Sequence, residues 1–143
     1  MPGAVLATTT DRTANWKPDD LRPRMEFGLA TAYAKGVVAI RTHLDSLAPQ
    51  ASISFPVFAE MRERWAGRVD LQASSIVPMD VFLTDEAREL ADFVASVDGN
   101  LGANTRFAKI ANDPQPPELE QALRNLFRLA AERGLNVDLH VDE

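Results

Sequence analysis

A fourfold succession of amphipathic segments and short apolar runs constrains this chain more than anything else in it. Helical periodicity covers residues 18–35, where Leu21, Met25, Leu29, Ala32 and Tyr33 form one stripe. Asp19 and Asp20 suit the positive end of that helix, and Gly36 suits its exit. The pattern recurs over 55–66, with Phe58, Met61 and Trp65, and over 85–95, with Leu90, Phe93 and Val94 behind Thr84 as N-cap. The fourth segment, "PPELEQALRNLFRLAAERG", sets Leu119, Ala122, Leu123, Leu126, Phe127 and Ala130 on one side and Gly134 after the last turn. Between these lie the runs 37–40, 69–77, 100–103 and 137–141. They are short and bounded by turn residues, as expected of strands buried on both faces of a parallel sheet. Strict alternation predicts βα units and an α/β fold. A further strand from "GAVLATTT" would instead mark a flavodoxin-like domain.

The 143 residues suit one domain, 1–143, with 1–15 a loose N-terminal segment. No cysteine is present, which excludes disulfides, thiolate metal sites and a cysteine nucleophile, and implies a reducing, cytoplasmic setting. A formal charge of −6, with basic residues scattered among acids, argues against nucleic acid as a partner. No apolar run approaches the roughly 20 residues of a membrane helix, so no membrane partner is expected either. Phosphate-binding glycine motifs and the G-x-S-x-G elbow are missing.

In parallel α/β folds the reactive groups gather where strands end at their carboxyl side. His43 and Asp45 close the first run, Asp80 follows the second, Asn104 and Arg106 follow the third, and His140, Asp142 and Glu143 close the fourth. The chain's two histidines therefore share one rim. A neutral imidazole is a good ligand for zinc or ferrous iron, and a bound divalent ion lowers its water's pKa to about 7. A nearby carboxylate can then carry the proton. The plainer reading is that a strand-end histidine beside acids is solvated or hydrogen-bonded, that Asp45 caps a loop, and that Arg106 is surface.

"GVVAIRTHLDS", then "RVDLQ", then "GLNVDLHVDE" resemble the middle of a cytosine deaminase-like enzyme of the metal-dependent amidohydrolase superfamily. In that family a strand ending R-T-H-x-D precedes one beginning D-L-Q, and a later strand ends D-x-H-x-D-E. The resemblance covers residues 16–143 and implies strands two to five of a (β/α)8 TIM barrel. It also implies hydrolysis of a C–N bond in a small cyclic nitrogenous amine or amide. His140 matches the fifth-strand metal ligand, and Glu143 matches the acid that shuttles protons. His43, Asp45 and Asp80 fall where substrate contacts are expected, and the implied cofactor is a divalent metal, zinc or iron. The family's first-strand H-x-H has no counterpart, since no histidine precedes His43, and its later histidine and aspartate ligands would lie past Glu143. Met79 and Asp80 stand near the place of the pyrimidine-holding glutamine, which argues against cytosine as substrate.

A complete barrel takes about 250 residues, so the expectation is half a barrel, inactive by itself. Two open edges and an uncovered apolar sheet face would drive it to a homo-oligomer or to a missing barrel half. The alternative is a non-catalytic α/β interaction or ligand-binding module that self-associates.

Overall fold

The computed structural model describes residues 10–12, 15–108 and 116–141. Helix α1 (Pro18–Ala34) begins with proline in its first turn and Asp19 and Asp20 beside its free N–H groups. It ends where Gly36 takes a φ of +83°, a conformation open to glycine at little cost. Strand β1 (Ala39–Asp45) leads to α2 (Ala51–Arg64), β2 (Asp70–Ile76), a 3-10 turn (Met79–Leu83) and α3 (Glu86–Ser96). Strand β3 (Asn100–Asn104), α4 (Leu119–Arg133) and β4 (Asn136–His140) complete the order.

The four strands form one parallel sheet in sequential order, β1-β2-β3-β4. Consecutive parallel neighbours joined through helices are the construction of a (β/α) barrel wall. The helices lie against one sheet face. Leu44, Leu71, Ala73, Leu101 and Ala103 point into that layer and meet Phe55, Phe58, Met61, Leu90, Val94, Leu126 and Leu129, all buried.

The other sheet face differs from the sequence expectation. It carries Arg41, His43, Gln72, Ser74, Asn100, Asn104, Asn136, Asp138 and His140, a polar surface and not an apolar one. The strands are thus apolar on their helix side only. Stretches such as "SSIV" look continuous because Ser74 and Ser75 are both fully buried by hydrogen bonding rather than by apolar packing.

Strand β1 also runs later than residues 37–40. In "AIRTHLD" the apolar or small residues Ile40, Thr42 and Leu44 alternate with polar ones, the period of a strand with two unlike faces. Val38, 69% exposed, lies just before it. Helix α2 starts at Ala51, earlier than Phe55, because burial of Ala51, Ser54 and Phe55 holds an extra turn in spite of Pro56. Thr84 does not cap α3; its hydroxyl donates to the Val81 carbonyl at 2.8 Å and closes the 3-10 turn.

Candidate active site

Backbone register sets His43, Ser74, Asn100 and Asn136 level across the four strands. In a closed eight-stranded barrel of shear 8, side chains at one height advance about one residue per strand relative to the hydrogen-bond register. Across three strand steps, the residue facing His43 should therefore lie about three positions beyond Asn136. Asp138 and His140, on the same side of β4, bracket that point. His43 Nε2 is 3.3 Å from Asp138 Oδ2 and 3.1 Å from His140 Nε2. The two imidazoles meet edge to face, with centroids 4.7 Å apart and planes at 88°.

Asp138 is held from below. Its Oδ2 accepts a hydrogen bond from Ser74 Oγ at 2.9 Å, and Ser74 Oγ accepts one from Asn100 Nδ2 at 3.1 Å. Partial burial pushes the Asp138 carboxyl up, but the hydrogen bonds from Ser74 and His43 outweigh it, so the group sits below the ordinary carboxylate range. It is therefore an anion at neutral pH.

The donor atoms of His43, Asp138 and His140 all lie within 4.8 Å of one another. A tetrahedral zinc ion with ligands at about 2.0–2.1 Å spaces its donors roughly 3.3 Å apart. The two distances at His43 Nε2, 3.3 and 3.1 Å, are close to that, while the three donors as a set are spread over up to 4.8 Å and would draw together around an ion. Two imidazole nitrogens and one carboxylate are also a donor set suited to ferrous iron. The residues present fit a divalent metal.

The other rim residues are engaged elsewhere. Asp45 Oδ1 is 2.7 Å from Arg12 Nη1, which ties part of the segment 1–15 to β1. Asp80 accepts from the Ala108 N–H at 3.2 and 3.3 Å and so braces the loop after β3. Asn104 Oδ1 accepts from the Arg106 N–H at 3.3 Å, and the Arg106 carbonyl accepts from the Met79 N–H at 2.9 Å. Asp142 and Glu143 lie outside the described residues. Sequence reasoning singles out neither Asp138 nor Ser74. The signal for Asp138 is present, since residues two apart on a strand share a face.

An open section of (β/α) barrel wall with imidazoles and a carboxylate at its carboxyl rim agrees with the resemblance to a metal-dependent amidohydrolase drawn from the sequence. Comparison with known proteins bears out that resemblance. The chain is 47% identical over 143 residues to a pterin deaminase of Rhizobium rhizogenes, a match covering 99% of this chain and 31% of that protein. It is homologous to that part of a deaminase. In fold it is similar to the crystal structure of 5-methylcytosine deaminase from Klebsiella pneumoniae liganded with phosphonocytosine. That match has a TM-score of 0.71 at 22% identity and covers 93% of this chain and 31% of the other. No family model matches. The chain spans about a third of the length of the curated relative, at 31%.

Proposed function

We propose that this chain is a section of a metal-dependent deaminase acting on a pterin, in which a ring carbon loses its exocyclic amine as ammonia and gains oxygen from water. The observation that carries the reading is His140, at the carboxyl end of a barrel strand and facing His43 and Asp138, in a chain 47% identical to a pterin deaminase. A divalent ion, zinc or iron, would supply the acidified water. His140 would hold it, and Glu143, three residues on, would take the water's proton and hand it to the leaving amine. His43 lies close enough to share in ligation or to contact the substrate. Asp45 and Asp80 would act on the substrate only indirectly, by fixing the loops beside it.

The 143-residue chain alone should release no ammonia from a pterin, because it spans only 31% of the length of the pterin deaminase it matches. Grafted in place of the homologous third of the Rhizobium rhizogenes pterin deaminase, it should restore turnover. In that graft His140→Ala and Glu143→Gln should each lower kcat/KM by at least about a thousandfold. A folded, metal-loaded graft that leaves pterin untouched would sink the reading. No described helix is long and apolar enough to cross a membrane, and the cysteine-free sequence supports a cytoplasmic setting.

A further inference from the structure

We infer that His43, Asp138 and His140 form a metal site complete within this chain, and that the bound ion acts as a clasp between the two outer strands of the open sheet. The donors converge from opposite ends of the sheet: His43 stands on β1, Asp138 and His140 on β4, with two strands between them. An imidazole Nε2 has a single in-plane site, either one N–H or one lone pair. His43 Nε2 nevertheless faces two acceptor-capable atoms, Asp138 Oδ2 at 3.3 Å and His140 Nε2 at 3.1 Å. One proton cannot satisfy both along good lines, whereas a cation among the three atoms would be shared by all of them once side-chain rotation closes their spread of up to 4.8 Å.

The surroundings also prepare the site. Ser74 donates to Asp138 from β2, and Asn100 donates to Ser74 from β3, so each strand of the sheet contributes to positioning the carboxylate. Outer-sphere support of this kind orients ligands and raises affinity. Two imidazoles and a carboxylate leave at least one coordination position for water or substrate. Because the ion would join residues 43 and 140, most of the described chain lies between its ligands. Binding to the folded state alone then stabilises it by mass action.

The inference rests on the proposed function only in sharing His140. The test is metal titration of the 143-residue chain, with zinc and with cobalt(II) as a spectroscopic probe, read by stoichiometry, the visible bands of nitrogen-ligated cobalt and thermal unfolding. We expect one ion per chain and a rise in Tm of roughly 5–10 °C at a hundredfold excess over Kd. His43→Ala and Asp138→Asn should each weaken binding by at least about tenfold and remove the rise. Glu143→Gln should change neither. Sub-stoichiometric metal, or binding unchanged in the folded His43→Ala and Asp138→Asn variants, would overturn the inference. If binding were lost only in His140→Ala, the deaminase reading would survive and the three-donor clasp would not. A graft without turnover beside an intact clasp would leave the clasp standing and remove the deaminase reading.

Discussion

The site depends on side chains that reach across strands, and that is where local sequence stops being informative. His43 and His140 stand out by their rarity and their strand-end positions. Their contact does not, because it depends on the stagger of the strands rather than on either local sequence. Ser75 shows the same limit. Its hydroxyl accepts from the Gly102 N–H at 2.8 Å and donates to the Gly102 carbonyl at 2.9 Å, standing between two strands where a backbone pair would otherwise be. Gly102 is required there. A Cβ at this position would fall on the Ser75 carbonyl oxygen and within 3.2 Å of the Asp138 carbonyl oxygen. Both obstacles are backbone and cannot swing aside. Gly102→Ala should therefore cost about 2–4 kcal/mol and should blunt metal binding, since β3 would have to move away from β2 and, to a lesser extent, from β4. Urea unfolding checks the first effect, and a cost below about 0.5 kcal/mol would show that the strands yield freely.

At the level of elements, legibility follows amphipathicity. Helix α4 displays its apolar face in the sequence, with Ala122, Leu126 and Ala130 buried as the spacing requires. The exception on its stripe is Phe127, which is 51% exposed. It sits at the margin of a face whose centre is Leu126. Strand β1 is harder because its polar half, "RTHLD", has the composition of a rim and is nonetheless strand. Only one face of that strand packs against helices, so alternation is the correct signal and the continuous "VVAI" run misleads. The contrast on α4 is a direct test of burial against composition. Leu126→Ala should lower stability by about 3–4 kcal/mol through the cavity it leaves. Phe127→Ala, one residue on, should change it by less than about 1 kcal/mol. Equal losses in chemical unfolding would mean that Phe127 is covered in solution.

For the whole molecule, four alternations of helix and strand are enough to specify a section of barrel wall. The polar inner face is not legible in the same pattern, and it changes the driving force for association. An apolar uncovered face would favour indiscriminate aggregation, whereas a face of Arg41, Gln72, Asn100 and Asn136 is at home in water. What remains is the backbone of the outer strands. Among the described residues β1 and β4 each have a neighbour on one side only. Their directions agree, so β4 of one copy can continue into β1 of another as a parallel pair, and two copies about a twofold axis would close an eight-stranded ring. The free edge of β1 can be assigned. The Val38 carbonyl accepts from the Asp70 N–H and so faces β2, and alternation then turns the Arg41 N–H outward. We expect the chain to self-associate at tens of micromolar. Arg41→Pro, which removes an outward donor while leaving the inward ladder in place, should weaken association at least about tenfold. Sedimentation equilibrium of both proteins decides the matter: a monomer at every concentration would remove the edges as a driving force, and equal association of the variant would move the contact away from β1.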